Sequence, residues 1–422
     1  MARRYFGTDG VRGVVGGELT VDLVERLGRA ATLWLKQPHP AVFVGRDTRA
    51  SGVELEEAFA RGVVAAGGAA VLAGVLPTPA VALLALDLGV VISASHNPPE
   101  YNGVKFFDRA GRKLSDEAEE EIEGLLDTDG PGGGEIDRVD VYVESYLDHV
   151  LERFGSDLSG LKIAVDCANG AYSAIAPEAF SQLGAEVVTI AAEPNGENIN
   201  LECGATDLRA LMRTVLDERC DLGIAFDGDG DRMLAVDARG NEVDGDQIVA
   251  ILALHLGVDQ VAVTVMANLG FHRLMAERGI RVHTTPVGDR YVLEALRRED
   301  AVLGGEQSGH IIYLHDHVTG DGLAAALLLC AALDGATLAE RAAAMEVLPQ
   351  VKENVRVSRR EVPQAVVDEV ERVNAELGEA GRVLVRPSGT EPLIRVLAEA
   401  GSREEAGSLC GRIAALVRRE LG

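Results

Sequence analysis

Three stretches of the sequence share one order of elements: an apolar run, a loop of polar or small residues, a helical pattern and a second apolar run. They span residues 41–72, 162–190 and 261–282. This order is typical of parallel strands joined by a crossover helix, because a parallel pair needs a long connection. Long spacers that do not repeat separate the three stretches, which argues against one large sheet. We therefore predict three related α/β domains, each with a sheet flanked by helices.

The C-terminal part of the chain follows a different order. A strand at 355–357 precedes a helix over 364–377, two strands at 382–385 and 393–397, and a helix that begins at Ser402 with a capping box. This pattern predicts a smaller α+β domain at the C-terminus. The predicted domains cover residues 1–154, 155–246, 247–350 and 351–422.

An acidic composition constrains the partners of this chain of 422 residues. Its formal net charge of −27 argues against binding to nucleic acid or to an anionic membrane. An anionic small molecule stays compatible with this charge, because salt screens surface charges beyond about 8 Å and a few arginines can dominate a cleft. A homodimer is one candidate assembly.

Cysteine usage and the lack of long apolar runs indicate the compartment. The five cysteines are scattered and have no CxxC spacing, which fits free thiols in a reducing compartment. No apolar run is long enough to span a membrane, and the basic N-terminus lacks the apolar stretch of a signal peptide. We therefore expect a soluble cytoplasmic protein.

Ser95 stands where an apolar run gives way to a turn, in the segment VISASHNP. The Asn-Pro pair after it forces the chain to turn, so we expect a strand to end here and to leave the Ser95 hydroxyl at the start of a sharp loop. One interpretation is a serine that only caps the turn; the other is a nucleophilic serine that carries a phosphoryl group. His96 and Lys105 are nearby candidates for proton transfer or for holding oxyanions.

Three aspartates alternate with glycines in the segment FDGDGDR. The glycines allow the backbone to curl, so Asp227, Asp229 and Asp231 (the Asp triad) can converge on one hard cation. An EF-hand is excluded, because Arg232 and Ala238 stand where that loop needs glycine and glutamate. A haloacid-dehalogenase phosphatase and an acidic turn without a ligand are the alternatives, although three carboxylates this close repel one another without a cation.

Magnesium is the cation that the Asp triad fits, provided that a phosphate completes its oxygen ligands. The missing ligand would be a phosphate on Ser95, which the metal would polarise during transfer. Arg232, directly after the triad, could hold a further phosphate oxygen or form a salt bridge to one of the aspartates.

Two further loops have the composition of ligand sites. The segment RPSGTEP, with Arg395 just beyond it, combines arginines, hydroxyls and a glycine into a predicted anion cradle; a decorated hairpin turn is the alternative. The segment GGEQSGH is rich in groups that match sugar hydroxyls, and its spacing differs from the hydrolase elbow G-x-S-x-G. At the start of a predicted helix, Asp289 could be the N-cap, or Arg290 could contact a phosphate or sugar.

Taken together and in this order, the SASHNP, DGDGD, GEQSGH and RPSGTEP motifs resemble those of the α-D-phosphohexomutase superfamily along essentially the whole chain. SASHNP, GEQSGH and the opening FGTDGVRG are similar to the bacterial branch that acts on glucosamine phosphates. The resemblance implies three α/β domains and a fourth domain like the TATA-binding protein. It also implies Mg²⁺ as cofactor and the interconversion of glucosamine 6-phosphate and glucosamine 1-phosphate, on the route to UDP-N-acetylglucosamine and the cell wall.

The resemblance assigns individual residues as well. Ser95 would be the phosphoserine and, with the Asp triad, would bind Mg²⁺. Lys105 would be the general acid or base, with His96 as the other candidate and Arg232 as a further catalytic residue. The residues expected to bind the substrate are Arg12, Arg290, Glu306, Ser308, Arg386, Ser388, Gly389, Thr390 and Arg395.

The implied reaction begins when Ser95 passes its phosphoryl group to the free hydroxyl of the monophosphate. The product of this step, glucosamine 1,6-bisphosphate, would turn end over end and return its other phosphate to Ser95, with the fourth domain as the hinge. The first alternative is a phosphomannomutase/phosphoglucomutase of the same superfamily. A hydrolase that releases phosphate and a catalytically inactive sugar-phosphate sensor are the other two.

Overall fold

The computed structural model describes residues 4–7, 9–139, 142–388 and 392–421. The chain forms two compact units: the first comprises Met1–Met266 and Ile280–Ala343, and the second comprises Ala267–Gly279 and Ala344–Gly422. Within the described residues, three sheets lie in the first unit and one lies in the second. The predicted fold class, sheets flanked by helices, is confirmed.

Six strands form the first sheet: β1 (Val11–Val14), β2 (Ala41–Arg46), β3 (Ala69–Val75), β4 (Leu88–Ile92), β5 (Tyr101–Asp108) and β6 (Glu135–Arg138). Their order is β1-β5-β4-β2-β3-β6. Strands β2, β3, β4 and β6 are parallel, whereas β5 is antiparallel to both of its neighbours. The helices of this region are α1 (Val21–Trp34), α2 (Gly52–Ala65), α3 (Thr78–Leu83), α4 (Asp116–Gly124) and α5 (Tyr142–Phe154).

Five strands form the second sheet: β7 (Lys162–Asp166), β8 (Glu186–Ile190), β9 (Leu222–Phe226), β10 (Met233–Asp237) and β11 (Glu242–Val243). Their order is β11-β10-β9-β7-β8, with β7, β8 and β9 parallel and the other two antiparallel. The helices α6 (Ile175–Gln182) and α7 (Arg209–Asp217) connect the parallel strands.

The third sheet contains β12 (Gln260–Thr264), β13 (Arg281–Thr285), β14 (Leu303–Gly305) and β15 (Ile311–Tyr313), in the order β13-β12-β14-β15. Strands β12, β13 and β14 are parallel, and β15 is antiparallel to β14. Its helices are α8 (Gly245–Leu256), α10 (Asp289–Glu299), α11 (Gly322–Leu333) and α12 (Leu338–Ala342); the intervening helix α9 (Leu269–Glu277) belongs to the second unit.

The second unit also contains β16 (Gln350–Arg356), α13 (Gln364–Leu377), β17 (Arg382–Pro387), β18 (Leu393–Glu399) and α14 (Arg403–Leu421). Its strands form an antiparallel sheet in the order β16-β18-β17. Apolar side chains of this sheet pack with α13 and α14 into a separate core. Because the Ser402 hydroxyl accepts the Glu405 backbone N–H at 3.2 Å, α14 begins where the capping box predicted.

A hairpin in each sheet of the first unit carries one predicted site motif. The connections are residues 93–100 between β4 and β5, 227–232 between β9 and β10, and 306–310 between β14 and β15. In each case a strand with a parallel neighbour continues into an antiparallel one. Both ends of each loop are therefore fixed by the hydrogen bonds of one sheet.

All five cysteines lie buried as free thiols, as predicted. Among the described residues, no helix has the length and apolar character needed to cross a bilayer.

At the end of β7, the carboxylate of Asp166 is buried. Its Oδ1 accepts the Ala168 backbone N–H at 3.0 Å, while Oδ2 has no hydrogen-bond partner among the described residues. Burial penalises the charged form and raises the pKa of Asp166 to about 6, although the hydrogen bond from Ala168 acts in the opposite direction. An unfolded chain would hold this pKa near 3.9.

We predict that Asp166→Asn reduces the pH dependence of stability. The neutral acid favours the folded state below about pH 4, and this contribution is lost as the pH rises through about 6. About one pKa unit of this window lies above pH 5, so between about pH 5 and pH 8 the variant should gain about 1.4 kcal/mol relative to wild type. Urea unfolding at several pH values measures the difference. A difference that stays constant with pH would contradict the prediction.

Candidate active site

The Ser95 hydroxyl meets the Asp triad. Ser95 follows β4 in a left-handed backbone conformation, with φ of +52°, and is 2% exposed. Its Oγ donates to Oδ2 of Asp227 at 2.5 Å, and Nδ1 of His96 lies 3.4 Å from the same Oγ. The strand end, the sharp loop and the proximity of Ser95 to the triad, all expected from the sequence, are therefore present. The Ser95 hydroxyl donates its hydrogen bond to Asp227, which follows a strand of another sheet. A serine that only capped its own turn would instead bond within that turn.

Arg49 holds the Ser95 loop in place. This side chain is 1% exposed, and its guanidinium donates to the backbone carbonyls of Ser95 at 2.9 Å and Asn97 at 2.8 Å. It also donates to the carbonyls of Pro98 and Tyr101. One buried guanidinium thus donates to four carbonyls of this segment and fixes the path of its backbone.

Asp47 completes this support from the loop after β2. Its Oδ2 accepts Nε of Arg49 at 2.9 Å and the Ser93 hydroxyl at 2.6 Å. The Ser93 Oγ in turn accepts the Ser95 backbone N–H at 2.9 Å. On the opposite side, Asn200 donates to the Ser95 carbonyl at 2.9 Å. The unfavourable φ of Ser95 is therefore maintained by hydrogen bonds to its N–H and to its carbonyl.

The Asp triad is a compact group of buried carboxylates. One oxygen of each aspartate lies within 4.8 Å of the others. Burial, followed by the nearby charges of Asp231 and Asp229, raises the pKa of Asp227 well above its usual range. Oδ2 of Asp229 accepts the Thr78 hydroxyl at 2.6 Å, but its buried Oδ1 has no hydrogen-bond partner in the described part of the chain.

These carboxylates fit a hard divalent cation. Such an ion takes clustered oxygen ligands. It would offset the repulsion between the three carboxylates and would give the buried Oδ1 of Asp229 a partner. The Ser95 Oγ lies next to Asp227, so a group attached to it would also reach this cluster.

Close packing explains the two glycines of the DGDGD loop. A Cβ at Gly228 would lie 2.8 Å from the Ser95 carbonyl oxygen. Gly230 has φ of +77°, and a Cβ there would lie 2.4 Å from the ring of Tyr172. The hydroxyl of Tyr172 donates to Asp321 at 2.9 Å, and Asp321 caps α11, whose Gly322 N–H donates to the Gly230 carbonyl at 3.0 Å. The loop is therefore held from both sides.

Lys105 on β5 is the cation closest to the Asp triad. Its Nζ lies 2.8 Å from Asp229, 3.4 Å from Asp231 and 3.2 Å from Asp9. Burial alone would lower the pKa of Lys105, but the charges of Asp229 and Asp9 outweigh it and raise the pKa well above its usual range. Lys105 therefore stays protonated and donates a hydrogen bond to Asp229.

His96 and Arg232 are the other two predicted catalytic residues near the triad. Burial, followed by the charges of Arg232 and Arg12, lowers the pKa of His96 to about 4, so its ring is neutral at pH 7. Arg232 donates its backbone N–H to Asp227 at 3.2 Å, and its Nε lies 3.8 Å from Asp231. The ion pair with an aspartate, one of the two roles expected for Arg232, is therefore present. Arg12 is paired with Asp9 at 2.6 Å.

In the GEQSGH hairpin, Glu306 is buried and Ser308 faces the solvent. Glu306 is 9% exposed and accepts the Gly288 backbone N–H at 3.1 Å, whereas Ser308 is exposed. Gly288 is the N-cap residue of α10, so Asp289 is not the cap. Arg290 pairs with Asp116 and with Glu294 at the surface of α10.

In the second unit, Arg386 on β17 and Arg395 on β18 are directly opposite partners in the antiparallel pair. Their side chains therefore share one face of the sheet, and an anion would offset the repulsion between them. Ser388 follows β17 and is 3% exposed. Gly389 and Thr390 lie outside the described residues.

The structure also reveals supporting residues that were not among the predicted ones, such as Arg49, Thr78, Asn200 and His310. Arg49 stands in a loop that the sequence identifies as polar, yet nothing local indicates that it binds carbonyls far along the chain. His310 ends the GEQSGH motif, and its two ring nitrogens lie 3.8 Å from Asp231 and 3.7 Å from Asp289.

The chain belongs to the phosphoglucomutase/phosphomannomutase family. Family models of the α/β/α domains I, II and III match residues 3–131, 144–240 and 244–348, and the model of the C-terminal domain matches residues 335–416. The resemblance noted in the sequence is therefore confirmed, and the enzyme class is that of isomerases that transfer phosphoryl groups.

Individual relatives are more specific. The phosphoglucosamine mutase of Corynebacterium aurimucosum is 48% identical, with 98% of this chain and 99% of that protein covered. The phosphoglucosamine mutase of Thermobifida fusca is 49% identical, with 99% of both covered. Among solved structures, a phosphoglucomutase/phosphomannomutase family protein of Burkholderia thailandensis is similar with a TM-score of 0.84 and 25% identity, over 97% of this chain and 96% of that one.

We predict that Arg49→Met destabilises the protein by about 3–5 kcal/mol, because it leaves the buried Asp47 carboxylate without its cation and removes the hydrogen bonds from Arg49 to the Ser95 loop. Arg61→Met is the matched control: Arg61 pairs with Glu25, but its side chain is 50% exposed, so the change should cost at most about 1 kcal/mol. Urea midpoints of the two variants test the difference. Equal, small shifts for both would contradict the structural role of Arg49.

Proposed function

We propose that this chain is a phosphoglucosamine mutase, which interconverts glucosamine 6-phosphate and glucosamine 1-phosphate. The observation that carries the proposal is the 2.5 Å hydrogen bond between the Ser95 hydroxyl and Asp227. A phosphoryl group on Ser95 would enter a cluster of carboxylates suited to a divalent cation. The similarity to phosphoglucosamine mutases at 48–49% identity along nearly the whole chain supports the choice of sugar.

In the proposed cycle, phosphorylated Ser95 donates its phosphoryl group to the free hydroxyl of the sugar monophosphate. The P–O bond to Ser95 breaks, and a bond to the sugar oxygen forms, which gives glucosamine 1,6-bisphosphate. This intermediate turns and returns its other phosphate to Ser95. Lys105 is the proposed general acid or base, since it is the buried cation next to the Asp triad, and neutral His96 is the other candidate.

The Asp triad is the proposed site of Mg²⁺, completed by Ser95. When bound, the ion supplies neutralisation of charge on the phosphoryl group. The protein supplies the rest: Thr78 and Lys105 orient Asp229, and Arg232 balances Asp231 and Asp227. The fit rests on the clustered, buried carboxylate oxygens.

The proposed substrate contacts divide into two groups. Glu306 and Ser308 would bind sugar hydroxyls, and Arg12 and Arg290 would contact the substrate after exchanging their present carboxylate partners. The phosphate that does not react would be bound by the second unit, through Arg386, Ser388, Gly389, Thr390 and Arg395. A cradle of this kind accepts a phosphate from either end of the sugar, as the turning intermediate requires.

The product would enter synthesis of UDP-N-acetylglucosamine in the cytoplasm. The alternative function is that of a phosphomannomutase/phosphoglucomutase, which the family membership and the similar Burkholderia protein favour. Turnover of glucosamine, glucose and mannose 6-phosphates under one set of conditions separates the two. A higher kcat/KM for glucose or mannose 6-phosphate would replace the proposed substrate, and release of inorganic phosphate without isomerisation would indicate a hydrolase.

We predict that Ser95→Ala abolishes covalent phosphorylation and lowers mutase turnover by at least about 1,000-fold, because no nucleophile remains. Intact-mass spectrometry should show a phosphorylated fraction of wild type that the variant lacks. Ser93→Ala is unsuited as a control because Ser93 supports the loop, so Ser308→Ala serves instead: it should retain the phosphorylated fraction. Full turnover by Ser95→Ala would contradict the mechanism.

We predict that Asp229→Asn weakens Mg²⁺ binding at least about tenfold, because the isosteric change removes a charged ligand. Calorimetric titration with Mg²⁺ measures this independently of turnover. Asp237→Asn is the control on the same hairpin: Asp237 is buried and accepts backbone N–H groups of Arg239 and Asn241, remote from the triad. Unchanged affinity in Asp229→Asn would remove the triad as the metal site.

A further inference from the structure

Lys113 joins two acidic residues from distant parts of the chain. It lies between β5 and α4, and its Nζ contacts Oδ1 of Asp9 and Oδ2 of Asp289, both at 2.5 Å. The Lys113 side chain is 14% exposed, so both contacts are largely shielded from water. Asp289 is the first residue of α10, and its carboxylate is directed to Lys113 instead of capping the helix.

The contacts continue on both sides of Lys113. Oδ2 of Asp9 lies 3.2 Å from Nζ of Lys105, and Oδ2 of Asp289 lies 3.7 Å from Nε2 of His310. Lys105 and His310 both approach Asp231, at 3.4 Å and 3.8 Å. The result is a closed ring in which acids and bases alternate: Lys105, Asp9, Lys113, Asp289, His310 and Asp231. We call it the charge ring.

Of the three basic residues in the charge ring, Lys105 and His310 each approach Asp231 of the Asp triad. Lys113 instead contacts Asp9 and Asp289, neither of which belongs to the triad. We propose that Lys113 is a positioning residue, which ties Asp9 to Asp289 and thereby fixes Lys105 and His310 on two sides of Asp231. The inference rests on the proposed function, in which Lys105 transfers a proton.

Electrostatics explains why the tie matters. Asp9 and Asp289 are 23% and 19% exposed, so without Lys113 two poorly solvated carboxylates would face each other. Each would then interact more strongly with its remaining basic neighbours. Asp9 keeps Arg12 and would draw Lys105 away from Asp229, and Asp289 would draw His310 away from Asp231. A displacement of about 1 Å at a reacting group is enough to cost about 100-fold in rate.

Lys113 also remains charged under assay conditions. Burial alone would lower the pKa of Lys113, but the charges of Asp289 and Asp9 outweigh it and keep the pKa above its usual range. The tie is therefore present throughout the pH range in which the enzyme can be assayed.

The test is single-turnover transfer from phosphorylated Ser95 to glucosamine 6-phosphate, followed by intact-mass spectrometry after rapid quenching. Lys113→Met should slow transfer about 10- to 100-fold while KM for the sugar phosphate changes less than about threefold. Lys113→Arg, which keeps a cation able to bridge two carboxylates, should recover most of the rate. Lys162→Met is the control. Lys162 is the first residue of β7 and pairs with Glu186 and Glu218, so its loss should leave transfer unchanged.

If Lys113→Met does not fold, Asp289→Asn makes the same test, because it cuts the tie with an isosteric side chain. A transfer rate within twofold of wild type in either folded variant would overturn the inference, even if the melting temperature fell. A rise in KM with an unchanged transfer rate would also overturn it, since that result assigns Lys113 to binding. If phosphorylated wild type fails to transfer to glucosamine 6-phosphate, the proposed function fails instead, and the variants are compared on the hexose phosphate that wild type accepts.

Discussion

The first unit depends on the burial of three negatively charged side chains beside the Ser95 hydroxyl. Asp227 and Asp229 are fully buried and Asp231 nearly so, at the point where β9 ends. Carboxylates removed from water destabilise a fold unless cations or donors surround them. Lys105, Arg232 and the hydroxyls of Thr78 and Ser95 therefore do more than line a site. They offset the cost of burying the three carboxylates, so that this region can fold with the triad in place.

A second constraint is the geometry of the Ser95 loop. The Ser95 hydroxyl reaches Asp227 on the neighbouring sheet from a backbone conformation with φ of +52°, which costs energy in a residue other than glycine. Arg49 and Asp47 offset this cost with hydrogen bonds to the loop backbone. The stability of this region and the position of the Ser95 hydroxyl therefore depend on the same buried ion pair between Arg49 and Asp47.

The sequence predicted most of the architecture and the local motifs, but not the contacts that hold them. The helix expected over 364–377 is α13 itself, because its apolar period and flanking breakers are both local signals. The edge strand β6 has no such signal, since its four residues, EIDR, are short and charged as edge strands often are. Arg49 and Lys113 could not be assigned from sequence, because their partners lie far along the chain and ion pairs leave no periodic pattern.

The three site hairpins of the first unit have a consequence for how this scaffold can vary. Each loop is bounded by paired residues of one sheet: Ile92 with Val104, Phe226 with Met233, and Gly305 with Ile311. A residue inserted into such a loop must either bulge out of it or slip the following strand, which would turn its buried side chains toward the opposite face. An insertion that does not bulge out therefore disturbs the strand that follows, whereas exchanging side chains at constant loop length leaves the register of all three hairpins unchanged.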